Sequence, residues 1–393
     1  MSRYEIAIIG AGPAGMMAAI AASDRGKRVI LIDRNNQVGR KLLSTGNGRC
    51  NLTNTHVTAD RFHGANPDFI WTVIDQFDQH ATMDFFRGLG LLLKEEDEGR
   101  IFPRTNQASS VVEVLRRKLA SNKVDFALSA QVSAIERSAV WNISTIDGAT
   151  CQSDSLLIST GGRAAHQLGS TGDGLSWARK LGHRLVPTHA ALVPLETNET
   201  WPAEIQGTRV EARSWATAGG ETVTEASGDL LFTSYGVSGT SILAQAGRIA
   251  SALYEGPVTL HIDLFPDMTQ EQLADTISSF LSAIPDLTVE DVLVGLLPAN
   301  MIPVVLKLAE QRTTPVEAVL KDLTLTISKL RPLKEAQVTA GGVTADVIDP
   351  LTMQSKLIPG LHFAGEIIDV DGDSGGFNLQ WAWSSGYVAG ISA

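Results

Sequence analysis

The first 33 residues hold the pattern that most constrains this fold. An apolar run, Ile6–Ile9, leads into Gly10-Ala11-Gly12-Pro13-Ala14-Gly15, a helix-like stretch and a second apolar run that ends at Asp33. In such a unit the first glycine permits a tight turn, the second lets the backbone approach a pyrophosphate, and the third lets the helix pack on the strand. The helix N-terminus stabilises phosphate charge. We therefore predict a β-α-β dinucleotide-binding unit, with glycines that serve only a tight turn as the alternative. The predicted contacts are Gly10, Gly12, Pro13, Ala14 and Gly15 at the pyrophosphate and Asp33 at the ribose, with Arg34 as a further cofactor contact.

The C-terminal end of the chain decides between FAD and NAD. An apolar strand ends at Gly365-Glu366, and Gly375-Gly376 then opens an apolar helix. A carboxylate in that place can bind ribityl hydroxyls, and a helix N-terminus can stabilise negative charge on the pyrimidine part of a flavin. Only a cofactor as long as FAD would use both ends of the chain at once. The predicted contacts here are Gly365, Glu366, Gly376, Phe377, Asn378 and Leu379.

Composition removes several classes of function. Lys and Arg number 32 and Asp and Glu 43, so the formal net charge is −11 and the basic surface that nucleic acids require is not indicated. The two cysteines, Cys50 and Cys151, are too few for a disulfide framework or a four-cysteine zinc site. No apolar stretch reaches the roughly 18 residues of a membrane span. We expect a cytoplasmic protein with a small-molecule substrate and no metal, membrane or nucleic-acid partner; the oligomeric state stays open.

The order of the predicted elements indicates an α/β fold. We predict a discontinuous Rossmann-like domain formed by residues 1–186 and 331–393, with residues 187–330 as an insert. The insert would contain a small antiparallel barrel or sheet (about 187–265 and 321–335) and a small helical piece (about 266–320). The predicted elements include a helical stretch at 67–87, a β-meander within 124–158 laid against the first sheet, strands at 208–217, 221–226 and 229–233, and a helical stretch at 289–312.

Several long motifs carry a resemblance to a known family. They are Gly39–Asn54, Gly99–Pro103, Leu231–Thr233, Gly295–Pro298, Gly342–Thr344, Thr352–Lys356 and Gly372–Gly386. Together they resemble the bacterial flavoproteins of the aminoacetone-oxidase-like, or YhiN-type, family over essentially the whole chain. The resemblance implies an FAD fold with a β-barrel and a helical insert, non-covalent FAD and oxidoreductase activity. Members of the family are associated with amine oxidation and with reduction of bile-acid enones, so no substrate is implied.

The resemblance also implies further cofactor contacts. Val132 would meet the adenine through its backbone, and Thr160, Gly161 and Gly162 would close the adenine side. Two positions depart from the family pattern: Asn47 stands where many relatives have glycine, and Ser234 stands where a histidine is expected. The second departure removes the expected proton donor at the barrel edge. The contacts implied for the pyrophosphate and flavin are Arg40, Lys41, Gly46, Asn47, Gly48, Arg49, Cys50 and Asn51.

Absent motifs narrow the chemistry. No second Gly-x-Gly-x-x-Gly follows a central strand, so NAD(P)H, if used, would be a diffusible reductant. No Cys-x-x-Cys flanks the flavin segment, and no histidine between Arg40 and Asn54 is placed to bond the ring. We predict hydride transfer between a small organic substrate and non-covalent FAD, with the substrate between the nucleotide-binding domain and the insert. An amine oxidase that uses oxygen and a flavin-binding redox sensor or scaffold remain alternatives. The candidate catalytic residues are Tyr235, Cys50 and Asn51, each with a packing role as its alternative.

Two acidic or glycine-rich patterns are misleading. Gly372–Gly376 spells the nucleophile sequence of trypsin-like proteases, but a Rossmann unit is not the double barrel that such a protease needs. Asp369-x-Asp371-x-Asp373 resembles the start of a calcium loop, yet Ser374 stands where that loop needs glycine. We interpret the glycines as a turn and the acids as neighbours of a substrate entrance.

Overall fold

The computed structural model describes residues 2–393. It contains two compact units, one formed by the residues up to His189 together with Gln337–Ala393, and one formed by Ala190–Ala336. The sequence predicts that the C-terminal part of the first domain begins at residue 331. Residues 331–336 cluster with the second unit, where Arg331 forms ion pairs with Glu196 and Glu335.

The N-terminal stretch supplies most elements of the first unit. Its helices are α1 (Pro13–Asp24), α2 (Pro67–Gln76), α3 (Gln79–Gly88), α4 (Ala108–Ser121) and α5 (Asp173–Lys180). Its strands are β1 (Ser2–Ile9), β2 (Val29–Ile32), β3 (Thr53–Asn54), β4 (Phe62–Gly64), β5 (Leu93–Glu96), β6 (Arg100–Pro103), β7 (Asp125–Ala127), β8 (Val132–Arg137), β9 (Trp141–Thr145), β10 (Thr150–Ile158) and β11 (Leu185–Ala191).

The second unit combines a barrel with short helices. Its strands β12 (Leu195–Thr197), β13 (Arg209–Ala218), β14 (Glu221–Thr233), β15 (Gly236–Ser238), β16 (Val258–Asp263) and β17 (Leu323–Leu330) close in the order β12-β15-β14-β13-β16-β17. Its helices are α6 (Trp201–Glu204), α7 (Thr240–Glu255), α8 (Gln270–Ala283), α9 (Val289–Val294), α10 (Ile302–Arg312) and α11 (Val316–Lys321). The predicted barrel and helical insert are therefore present.

The C-terminal stretch returns to the first unit. It adds β18 (Val338–Val343), β19 (Leu361–Phe363), β20 (Val370–Gly372) and α12 (Phe377–Ser392). Strand β19 joins the main sheet beside β10, whereas β18 pairs with β11 and β20 pairs with β4. Strands β3, β6 and β5 form a further small sheet.

The main sheet has the order β7-β2-β1-β10-β9-β8, with β19 paired to the second half of β10. Strands β7, β2, β1, β10 and β19 run parallel. Strand β9 pairs antiparallel with β10 on one side and with β8 on the other. The four residues of β2 are fully apolar and buried, as expected for a strand covered on both faces. The predicted Rossmann-like α/β fold is confirmed.

Four expectations about individual elements were wrong. The meander is not laid against the first sheet but extends it, because β10 pairs with β1 on one side and β9 on the other. The helical stretch 67–87 is two helices, because Phe77 leaves the helical conformation and the Asp78 side chain caps α3. The strands expected at 221–226 and 229–233 form the single strand β14, which pairs with β13 from Glu221 to Leu231 and with β15 at its end. The stretch 289–312 is α9 and α10, separated at Pro298.

Helices α1 and α12 form the centre of the first unit's core. Both are predominantly apolar and lack a polar face, as expected for helices buried on most sides. A methyl group on Gly386 would lie 2.4 Å from the Ala14 carbonyl oxygen, and one on Gly390 would lie 2.4 Å from that of Ala18. These two glycines let the helices pack backbone to backbone. In the described residues, no helix is long and apolar enough to cross a membrane.

Candidate functional site

The glycine-rich turn after β1 has the geometry that its sequence predicts. Gly10 has φ +108°, and its N–H donates to the Ile32 carbonyl at 2.8 Å. A methyl group on Gly15 would lie 1.9 Å from the Gly10 carbonyl oxygen, whereas one on Gly12 would meet nothing within 4 Å. Helix α1 begins at Pro13 with Gly12 as its N-cap and no capping side chain. The turn therefore presents a helix N-terminus to open space, as a bound pyrophosphate requires.

Asp33 braces this turn. Its Oδ2 accepts the Ala11 N–H and its Oδ1 accepts the Asn35 N–H, both at 2.7 Å. Next to it, Arg34 donates to the Thr171 hydroxyl and forms an ion pair with Asp173 at 3.3 Å. Each Asp33 oxygen keeps further acceptor capacity, so the predicted ribose contact stays a prediction.

A cavity opens beside the glycine turn, in line with the rule that ligands bind at the carboxyl ends of parallel strands. Five residues that the sequence nominated line it: Gly10, Asp33, Arg34, Val132 and Thr160. The Thr160 hydroxyl is buried and has no hydrogen-bond partner among the described residues. The sequence reasoning missed Ala130, Gln131, Gly169, Thr171, Asp173 and Trp177.

The segment after Gly39 forms an irregular loop. Gly46, Asn47 and Gly48 have φ values of 55°, 55° and 83°. Asparagine tolerates the left-handed region better than most residues, which explains how Asn47 can stand in a position where relatives have glycine. Asn51 Oδ1 is buried without a partner among residues 2–393. The predicted catalytic role of Cys50 is not favoured, because this thiol is fully buried and burial raises its pKa to about 12.

Three basic side chains of this loop have protein partners. Lys41 Nζ lies 2.5 Å from Glu366 Oε2, and the Thr339 N–H donates to Glu366 Oε1 at 3.0 Å. Arg40 donates to Asn35 Oδ1 at 2.9 Å. Arg49 pairs with Glu96, and its guanidinium lies 4.1 Å from the Phe102 ring centroid. These contacts orient the side chains that the sequence nominated, while their cofactor contacts stay predictions.

The glycines near the adenine side and near Glu366 leave no room for a side chain. A methyl group on Gly162 would lie 2.4 Å from the Thr339 hydroxyl, and one on Gly365 would lie 2.9 Å from Ala14 Cβ. Gly161 has φ +72°. Their places in the structure are thus set by packing and backbone conformation, and cofactor contact is an additional prediction.

The N-terminus of α12 differs from the expectation in one side chain. Gly376 is the N-cap, with φ +105° and no capping side chain. The Asn378 amide does not extend from this helix end toward a ligand: its Oδ1 accepts the Gly372 N–H at 2.9 Å, and its Nδ2 donates to the Gly372 carbonyl at 2.6 Å. Phe377 packs against the Phe62 ring, and Leu379 is buried. The Asn378 side chain is thus held by the Gly372 backbone, and its cofactor contact stays a prediction.

The residues of the first unit fit FAD. Two uncapped helix N-termini, α1 and α12, suit the negative charge of a pyrophosphate and of a reduced flavin. Thr160 and Asn51 each hold a buried polar atom that lacks a partner. A methyl group on Gly12 would meet nothing within 4 Å, so the space in front of this glycine is open to a ligand.

The remaining catalytic candidate lies in the second unit. The Arg331 guanidinium lies 4.4 Å from the Tyr235 ring centroid, and the Tyr235 carbonyl accepts the Thr197 N–H at 3.0 Å. Ser234 is exposed. The Tyr235 ring thus has a packing partner, and a catalytic role for its hydroxyl stays a prediction.

This fold and this arrangement of glycines and helix ends define a class, the flavoprotein oxidoreductases with a Rossmann-type FAD-binding domain. The model of the HI0933-like protein Rossmann domain matches residues 4–392. The chain belongs to this family, which confirms the resemblance seen in its motifs.

Named relatives and solved structures agree with that class. The chain is 38% identical over 403 residues to a 3-dehydro-bile acid delta(4,6)-reductase of Clostridium scindens, covering 99% of this chain and 98% of the relative. It is 32% identical over 404 residues to a ribosomal RNA dihydrouridine synthase of Escherichia coli, covering 99% and 97%. The fold resembles a 3-ketosteroid-delta4-(5alpha)-dehydrogenase of Rhodococcus jostii, with a TM-score of 0.52 and 14% identity over 100% of this chain and 96% of that one.

Proposed function

We propose that this protein uses non-covalent FAD to transfer hydride to a small organic substrate, at a carbon–carbon double bond conjugated to a carbonyl group. The observation that carries the proposal is the pair of uncapped helix N-termini, α1 and α12, in one nucleotide-binding unit. The similarity to a bile acid delta(4,6)-reductase supports the bond type. Reduction of uridine to dihydrouridine also saturates a double bond next to a carbonyl, so both named relatives share this chemistry.

Residues of this chain would bind FAD and orient it. The first turn of α1 would hold the pyrophosphate, while Asp33, Arg34 and Thr160 would surround the adenosine. Lys41 holds the Glu366 carboxylate at 2.5 Å, so this carboxylate is fixed before a ribityl chain arrives. When bound, FAD supplies the acceptor and donor of hydride, and the first turn of α12 would stabilise the charge of its reduced form.

Anaerobic reduction of the purified holoenzyme tests the proposal. NADH or NADPH is expected to bleach the flavin, and a 3-oxo-4-ene steroid, used as the enone probe, is expected to restore its colour without oxygen. Reduction by a primary amine in the absence of NAD(P)H would instead support the amine oxidase alternative. Redox cycling without turnover of any donor and acceptor pair would support the sensor or scaffold.

A second candidate is reduction of uridine in RNA. The 32% identity to a ribosomal RNA dihydrouridine synthase favours it. The net charge of −11 opposes it, because phosphate contacts need clustered basic residues. Reoxidation of the reduced holoenzyme by a uridine-containing RNA, but not by the steroid, would select this candidate.

A further inference from the structure

A cluster of acids and histidines lies beside the N-terminus of α12 and has no role in the cofactor contacts proposed above. Strands β4 and β20 pair antiparallel, with His63 directly opposite Asp371. Directly opposed residues project to the same face of a sheet, and so does Asp369, two positions before Asp371. His63 Nε2 lies 2.8 Å from Asp373 Oδ1. The cluster is therefore mixed rather than purely acidic.

Asp371 is the unusual member. Its relative exposure is 7%. An ionised carboxylate is costly to bury unless it is paired and hydrogen-bonded. Burial raises the pKa of Asp371 to about 6, and the nearby charges of Asp369 and Asp373 act in the same direction, whereas His63 and His189 lower it. Burial in this place therefore favours the protonated form of the carboxyl group.

Two histidines near Asp371 are accessible to solvent. His189 is exposed and His63 is partly exposed. Strand β18 and helix α12 also pack against β20, and neither carries an acidic or basic side chain. In the adjoining turn, Glu366 is held by Lys41. Imidazoles are suited to carry protons near neutral pH. His63 and His189 both act electrostatically on Asp371, so they are the groups that could exchange its proton with water.

Asp371 is also fixed relative to the helix end proposed to face the flavin. Gly372, the next residue, forms two hydrogen bonds with the Asn378 side chain in the first turn of α12. Asn378 thus joins β20 to the helix. This explains why an amide stands at that position although it does not extend toward a ligand.

We infer that Asp371, with His63 and His189 behind it, holds the proton that the substrate receives when its conjugated double bond is reduced. This inference rests on the proposed function. A hydride, drawn from FAD reduced by NAD(P)H, forms the new C–H bond at the β carbon, and the π electrons move onto the carbonyl oxygen as an enolate. The enolate's α carbon takes the proton from the Asp371 carboxyl group, and water restores that proton through His63. The sequence lacks the histidine expected at Ser234, so this acid supplies a donor that the barrel edge does not.

The test compares the wild-type holoenzyme with Asp371→Asn and with Asp154→Asn as the control. Asp154 forms an exposed ion pair with Arg3, far from β20 in sequence. The first readout is the infrared carbonyl band of protonated carboxyl groups, followed against pH. We expect a band that titrates near pH 6 in the wild type and in Asp154→Asn, and its loss in Asp371→Asn.

The second readout separates the two half-reactions with the 3-oxo-4-ene steroid as the probe. In Asp371→Asn, reduction of the flavin by NAD(P)H is expected to keep its rate, while reoxidation by the enone slows at least tenfold and loses its pH dependence near pH 6. Absence of the titrating band, or unchanged enone reoxidation in Asp371→Asn, would overturn the inference. If the wild type fails to reduce the enone, the proposed function is wrong, and so is the inference of proton donation to this substrate class. The infrared carbonyl band would then show only whether Asp371 holds a proton.

Discussion

Asp33 and Asn378 show how a residue's type leaves its role open. Both stand where a cofactor contact is expected, yet both side chains hydrogen-bond to the backbone of the turns beside them. Short polar side chains favour such local bonds because few rotatable bonds must be fixed to reach them. The position of a residue in a motif predicts that its side chain is needed there. Only the surrounding structure shows which groups that side chain contacts.

Glu366→Ala tests the site at the residue scale. Loss of a charge-assisted hydrogen bond to the ribityl chain should cost about 1.5–3 kcal/mol, or roughly 10- to 100-fold in FAD affinity. Equilibrium titration of the apoprotein with FAD measures this, and Glu335→Ala is the control, because Glu335 is a partly buried carboxylate that pairs with Arg331 in the other unit. Equal affinities in the two variants would remove Glu366 from the site.

The pKa of Asp371 makes a separate prediction about stability. Folding raises this pKa from an ordinary 3.8 to about 6, so the fold favours the protonated form. The wild type should therefore lose stability between about pH 4 and pH 6, by at most about 3 kcal/mol. Asp371→Asn lacks this loss, so its stability relative to the wild type should rise over that range and then level off. Denaturant unfolding of both holoenzymes at several pH values checks it; a constant difference would contradict the raised pKa.

At the scale of elements, the contact between α1 and α12 depends on two glycines. Gly386→Ala should destabilise the protein by about 1–3 kcal/mol, because the added methyl group would lie 2.4 Å from the Ala14 carbonyl oxygen. Helix displacement there would also move Gly12 and Gly376, so FAD affinity should fall. Thermal unfolding and FAD titration measure the two effects.

Helix α7 offers a matched control for that substitution. Gly247 lies within this helix, and a methyl group on it would meet nothing within 4 Å. Gly247→Ala should therefore stabilise the protein by about 0.5–1 kcal/mol, through backbone entropy alone. Similar changes in both variants would show that helix propensity, not packing, decides the effect of Gly386→Ala.

At the scale of the whole molecule, the proposed mode of cofactor binding predicts release of intact FAD. Acid precipitation of the pure protein should leave FAD in the supernatant, because no histidine between Arg40 and Asn54 is available to bond the ring. Removal of FAD should lower the unfolding temperature, and added FAD should restore it in a concentration-dependent way. Flavin that stays with the pellet would contradict non-covalent binding, and FMN in the supernatant would exclude FAD.

The sequence by itself determined the fold class, the family and the local geometry of the glycine turn after β1. The Gly10–Gly15 pattern could be interpreted alone because its requirements are local: a positive φ, a close approach of helix to strand, and a free helix end. Strand patterns separated by turn residues indicated an antiparallel barrel or sheet, and the family resemblance implied the barrel. These are constraints between residues a few positions apart, which the order of residue types expresses directly.

Only the tertiary structure decided which distant residues meet. The cavity wall formed by Gly169, Thr171, Asp173 and Trp177 comes from a segment with no cofactor motif, brought to the glycine turn by the fold of the sheet. His63 faces Asp371 across more than three hundred positions. Burial of that carboxylate, like the unpartnered Asn51 oxygen, depends on packing from several elements at once. The raised pKa of Asp371 and the proposed proton route depend on such packing, which no local pattern of residues encodes.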